Sequence, residues 1–140
     1  MKVRARIQNS YGEHHLSLTT NGNSHSITIP PKASGFGSSV NGGELLFLAL
    51  ATCYCNDIYR EAAKRGIEVE HVEVEVEGQF GAEGEPGKHL AYRAKVVAHA
   101  PEDEIRDLMQ RTDALAEIQD TQRVPTPVNL DHIEAIVAPT

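Results

Sequence analysis

The stretch "GGELLFLALATCYCNDIYREAAKRG", residues Gly42 to Gly66, decides how this 140-residue chain is read. Its spacing predicts a central helix from Glu44 to Arg65, with Lys64 and Arg65 in the last turn and Gly66 as the left-handed stop. From Leu45 to Cys55 almost every side chain is apolar, so this half of the helix expects cover on all sides. One layer of sheet from a chain this size covers a single face. A second copy of the chain is the economical cover for the rest, and a homodimer with this helix at its centre is expected. Beyond Cys55 the helix turns amphipathic.

The same stretch holds both cysteines of the chain, Cys53 and Cys55. At about 100° per residue, positions i and i+2 point about 160° apart, so a disulfide between them requires the helix to break. Cys55 falls with Leu48, Ala51, Tyr59 and Ala62 on an apolar side and is read as a small core residue. Cys53 lies between Leu46 and Ala49, and one to two turns on its side carries Asp57 and Arg60. Arg60 favours a thiolate there and Asp57 opposes it, so on spacing alone core packing and a reactive thiol both stay open.

Outward from the helix the chain reads as α+β with a mainly antiparallel sheet, in a single domain over residues 1–140. Val3, Ala5 and Ile7 alternate with Lys2, Arg4 and Arg6, and "LSLTTNGNSHSITI" forms two alternating runs around Asn21-Gly22, a hairpin signal. "PPKASGFGSSVNGG" is a loop of the length that often lies over a site. After the helix, "IEVEHVEVEVEGQF" is a long strand whose apolar phase slips between Val69 and Val72, which predicts a bulge near His71. Leu90 to Ala98 is its partner, with Arg93 and Lys95 set to face Glu73, Glu75 or Glu77. A second helix opens at Pro101 with acids in its first turn and shows an apolar stripe at Ile105, Leu108, Met109, Thr112 and Leu115. A short strand near Ile133 to Val137 is expected to close the chain.

Thirteen basic and 20 acidic residues give a formal charge of −7, which disfavours nucleic acid and anionic membranes as partners. No apolar run is long enough to span a membrane, and no apolar leader follows "MKVRARIQ", so a cytoplasmic home is the expectation. No phosphate-cradling glycine loop stands between a strand and a helix, and no cofactor is expected. No metal site is expected either. His14 and His15 point to opposite strand faces with no carboxylate or cysteine at ligand spacing, although His25 stands across the hairpin to face one of them. His14 and His15 read as a surface polar pair, with Glu13, His14 and His15 at the border of a pocket as the alternative. Tyr54 and Tyr59 read as core or interface aromatics, and Phe36 as a loop anchor or a pocket lid.

With "NGGELLFLALATC" on the central helix and "REAAKRGIEVEHVEVEVEG" after it, the chain resembles the OsmC/Ohr family of osmotically induced and organic-hydroperoxide-resistance proteins. That resemblance implies an OsmC-like fold, with antiparallel sheets packed around long central helices in an intertwined homodimer. It places Cys53 at the peroxidatic cysteine, whose thiolate attacks the O–O bond of an organic peroxide to give a sulfenic acid. The family then closes a disulfide with a second cysteine, yet "ALAEIQDTQRVPTPV" has Asp120 and Thr121 near that place and no sulfur. The family's orienting Glu aligns with Gly43, leaving Glu44 as a counterpart shifted by one. The family's Arg belongs to the region that reads "QNSYGEHH", and Arg4 and Arg6 lie upstream in strand phase. The resemblance therefore implies a stress-response protein in which Cys53 reduces organic hydroperoxides with an external thiol as resolver. The alternative is a non-enzymatic member of the fold that binds a small apolar ligand.

Overall fold

The computed structural model describes residues 1–139 and divides them into two compact units. The first comprises Met1–Leu48 with Gly78–His89, the second Ala49–Glu77 with the chain from Leu90 onward.

In the first unit, strands β1 (Val3–Ser10) and β2 (Glu13–Thr20) pair antiparallel from Val3↔Thr20 to Ser10↔Glu13, around a two-residue turn at Tyr11-Gly12. Strand β3 (Asn23–His25) adds to the other edge of β2. The turn between them has φ of 50° at Asn21 and 81° at Gly22, the left-handed pair that an Asn-Gly hairpin requires. The expected second run is shorter than its alternation suggests, ending at His25 and leaving Ser26 to Ile29 outside the ladder. Leu18 is the partner of His25, so His25 faces neither His14 nor His15, contrary to the expectation from the sequence.

The glycine-rich loop folds against the β1–β2 turn. Gly12 N–H donates to Gly35 O (2.9 Å), Gly37 N–H to Asn9 Oδ1 (3.0 Å), and Phe36 meets Tyr11 edge to face at 5.3 Å. Phe36 is thus an anchor. Helix α1 (Gly42–Lys64) then begins in a capping box: Glu44 N–H donates to Asn41 Oδ1 (2.8 Å) and Asn41 N–H returns to Glu44 Oε1 (3.1 Å). Phe47 stacks on Phe80 at 5.9 Å.

In the second unit, α1 buries Leu50, Tyr54, Ile58 and Ala62 along one side. It ends in a paired motif, Ile67 N–H to Ala62 O (2.9 Å) and Gly66 N–H to Ala63 O (3.2 Å), with Gly66 at φ 68° as read from the sequence. Strands β4 (Glu68–Gln79) and β5 (Lys88–His99) form a two-stranded sheet. The cross-strand pairs Arg93–Glu77 and His99–Glu70 show them antiparallel, and both Glu70 and His71 face solvent. The slipped phase read from the sequence appears as these two consecutive exposed positions between half-buried Val69 and Val72. Helix α2 (Glu102–Leu115) lays Leu108 and Met109 on a cluster with Tyr54, Ile58, Ala62, Tyr92 and Val96. Tyr54 donates its hydroxyl to Met109 O at 2.8 Å.

Two features depart from expectation. The second helix breaks at Ala116, which leaves the helical region at ψ 108°, and a short helix α3 (Glu117–Arg123) follows. Arg123 fastens the corner by donating to Asp113 O (3.1 Å), Asp113 Oδ1 (2.6 Å) and Asp120 Oδ1 (3.0 Å). No strand forms near Ile133 to Val137; Leu130, Ile133, Ile136 and Val137 are exposed. An alternating segment becomes a strand only beside another strand edge, and none of the described residues pairs with it. Among the described residues, no helix is long and apolar enough to cross a membrane.

Leu108 is fully buried in the cluster beneath α2. Leu108→Ala is expected to cost about 2–5 kcal/mol, whereas Asn41→Ala, which removes one cap, costs about 1 kcal/mol. Denaturant midpoints compared at constant slope test the ranking, and an Asn41→Ala loss equal to that of Leu108→Ala would contradict it.

Candidate functional site

Cys53 is partly exposed on α1, and the break at Ala116 turns Glu117 of α3 toward it. Its Sγ lies 3.5 Å from Asp57 Oδ2 and 3.8 Å from Glu117 Oε2, so the thiol has two carboxylate acceptors. Asp57 sits one helical turn on, the i+4 neighbour that shares its face. Arg60 takes the far oxygens of the same carboxylates, with Nη1 at 3.1 Å from Asp57 Oδ1 and 3.3 Å from Glu117 Oε1. Its Nε binds Glu61 at 3.0 Å, and Lys64 binds Glu61 at 2.9 Å. A second tie holds α3 in place: Gln119, itself buried, donates to Leu50 O at 2.9 Å.

Burial raises the Cys53 thiol above its ordinary pKa; the Ile118 N–H opposes this, and the charges of Asp57 and Glu117 add to it. Asp57, whose side chain is only 8% exposed, is also raised, by burial first and by Glu117, against the pull of Arg60. Glu117 is lowered, by a backbone N–H of its own and by Arg60. At neutral pH the sulfur is a thiol that donates to anions. Arg60 is the cation anticipated for it, but the guanidinium is engaged by three carboxylates instead.

Cys55 does not lie in the core, contrary to its reading from the sequence. Its companions on that side include Leu48, 60% exposed, and Tyr59, 44% exposed, while the buried stripe runs through Leu50, Tyr54 and Ile58. The apolar run of α1 misled because it is apolar on more sides than the chain covers. Glu44 shares no partner with Cys53; its carboxylate is engaged in the capping box. The pattern Asn41-x-x-Glu44 carries that capping signal in the sequence. A Cβ on Gly43 would come within 2.9 Å of the Phe80 ring, so no side chain fits there while Phe80 keeps its place.

His14 is half-buried, with Nδ1 3.0 Å from Asn9 Nδ2 and no partner among the described residues for Nε2; His15 is exposed beside Glu13. No local pattern signals Glu117, which lies 64 residues from Cys53 and reaches it only through the break at Ala116. Cys53, Asp57 and Glu117 also bring three metal-ligating atoms within 4.8 Å of one another, with Arg60 already bound to both carboxylates.

Residues 35–131 match the protein family described as OsmC-like protein. Similar solved structures include an OsmC-like protein of unknown function from Vibrio cholerae O1 biovar eltor, 14% identical over 86% of this chain and 93% of that one, with TM-score 0.60. An OsmC-like protein from Mycoplasma pneumoniae is 16% identical over 87% and 86%, with TM-score 0.58. An organic hydroperoxide resistance protein OsmC from Legionella pneumophila is 19% identical over 88% and 90%, with TM-score 0.56. At such identities the likeness is one of fold. No curated protein sequence matches the chain.

In a Cys55→Ser background, iodoacetamide should alkylate Cys53 at pH 7 more slowly than a cysteine in a short peptide, because only the thiolate reacts. A raised pKa places the rise in rate at higher pH. Asp57→Asn should move that rise downward, each unit giving about tenfold more thiolate at pH 7. A pH–rate profile superimposable on the peptide's would contradict this electrostatic account.

Proposed function

The chain belongs to the OsmC-like protein family, and from that membership we propose that it is a stress-response protein that reduces organic hydroperoxides through Cys53, with an external thiol as resolver. The observation that carries this reading is the setting of Cys53: a partly exposed sulfur among groups that exchange protons, where Cys55 has no such partner among the described residues. The name of the Legionella protein supports the substrate class. In the reaction, the Cys53 sulfur displaces alkoxide from the peroxide, leaving a sulfenic acid and, after proton uptake, an alcohol. An external thiol then condenses with the sulfenic acid to a mixed disulfide and water, and a second thiol returns Cys53 to its reduced form. Cys55 points about 160° away along the same helix and reaches Cys53 of its own chain only if that helix breaks.

A specific observation favours a second reading, the non-enzymatic member that binds a small apolar ligand. Burial, helped by the charges of Asp57 and Glu117, shifts Cys53 toward its unreactive protonated form, and Arg60 is engaged by those carboxylates. Both readings include a homodimer. Its support is the apolar surface left exposed at Leu48 and Tyr59 on α1 and at Leu130, Ile133 and Val137.

Exposure of wild type, Cys53→Ser and Cys55→Ser to cumene hydroperoxide, followed by sulfenic-acid trapping and mass measurement, separates the readings. Trapped product is expected in wild type and Cys55→Ser and none in Cys53→Ser; an unoxidised wild type selects the non-enzymatic reading. Sedimentation at micromolar concentration is expected to give a dimer, and a stable monomer would remove that part.

A further inference from the structure

Whatever reacts with Cys53 from solution meets an excess of negative charge. Asp57, Glu61 and Glu117 supply three carboxylates, Arg60 and Lys64 two cations, and all are joined in one chain of ion pairs. The arrangement directs the anions at the sulfur and the cations away from it. Asp57 Oδ2 and Glu117 Oε2 are the oxygens that face Sγ, while Arg60 binds Oδ1 and Oε1 on their far sides. Asp57 is buried, but the Glu117 side chain is 65% exposed and stands 3.8 Å from the sulfur. Glu117, with the partly exposed Arg60 on its other oxygen, is thus the anion that a reagent arriving from solvent encounters beside Cys53.

We propose that Glu117, backed by Asp57, selects the partner thiol of Cys53 by charge: neutral and cationic thiols or disulfides are admitted and anionic ones are rejected. This rests on the reading of Cys53 as a cysteine resolved from outside the chain. A resolving thiol brings its own charge to within a few ångströms of Glu117. Two like charges a few ångströms apart repel in water and repel more strongly near a protein surface, and added salt weakens the effect. The chemistry to be read is thiol–disulfide exchange. The Cys53 thiolate attacks one sulfur of a disulfide R–S–S–R, forming Cys53–S–S–R and releasing R–S⁻, which takes up a proton. Electrons balance without any further reductant, and no peroxide is needed.

The test uses reduced protein carrying Cys55→Ser, so that only Cys53 reports. Its rates of mixed-disulfide formation are measured by mass with cystamine (dication), bis(2-hydroxyethyl) disulfide (neutral) and 3,3′-dithiodipropionate (dianion). Each rate is divided by that of a short cysteine peptide, which removes the intrinsic preference of any thiolate. The normalised cystamine-to-dithiodipropionate ratio is expected to be on the order of tenfold at low salt and to collapse toward one at about 1 M salt. Glu117→Gln should shrink it and Glu117→Lys should invert it, with the neutral disulfide changing least; Glu117→Asp should largely preserve it. A ratio equal to the peptide's, or one that neither Glu117→Gln nor Glu117→Lys alters, overturns the proposal. Charge ranking without any sulfenic acid under peroxide would remove the peroxidase reading and leave the selection by Glu117 standing. Sulfenic acid without charge ranking would do the reverse.

Discussion

The stripe formed by Leu50, Tyr54, Ile58 and Ala62 must leave water together, and its angular width governs the chemistry along its margin. At about 100° per residue, Asp57 and Glu61 fall at and within the margin of that stripe, so covering it with α2 and its neighbours buries two carboxylates as well. A buried carboxylate needs a partner, and the positions three residues further, Arg60 and Lys64, provide cations. Arg60 in turn has capacity for Glu117, which draws the start of α3 to the same place. Cys53 lies on the next position of that side and inherits the surroundings. The site is thus a consequence of how α1 is covered.

The primacy of the buried carboxylates explains why the thiol has acidic company. Groups that compensate a buried charge have their geometry set by that charge, and Arg60 is oriented by Asp57, Glu61 and Glu117 before any sulfur is considered. A guanidinium is always charged and has five N–H donors, yet those donors point in one plane. With Nε and Nη1 on carboxylates, it is committed to those anions rather than to the sulfur. The polar network is also what fixes the α2–α3 corner, since the Arg123 bonds to Asp113 and Asp120 close it from the other end while Tyr92 donates its hydroxyl to Asp113.

Much of the fold was legible from local pattern. Asn21-Gly22 announced its hairpin, Gly66 its left-handed stop, and the slipped apolar phase before Val72 its irregularity in β4. Cys53 beside Asp57 and Arg60 followed from helical period alone. What period does not carry is which apolar side of α1 the chain itself covers, and Cys55 was misplaced for that reason. The break at Ala116 has no glycine or proline to mark it, so Glu117 entered the site unannounced. The expected strand at Ile133 to Val137 shows the same limit from the other direction: alternation records a readiness to pair, and pairing needs a neighbouring edge. Glu44 illustrates competition between roles, since one carboxylate three residues after Asn41 satisfies a helix start on its own.

The packing of Phe80 over Gly43 bears on the routes by which such a sequence can change. The two positions are in contact, so their substitutions are not additive. An acidic side chain at position 43 meets the ring at once, whereas a smaller residue at position 80 opens the space and leaves the capping box intact. Either the half-exposed ring swings aside or position 80 itself changes, and since the ring also stacks on Phe47, either step forfeits a packing contact. Phe80 over Gly43 thus couples the two positions, and a carboxylate at the third position of that helix start is accommodated only where the ring has yielded.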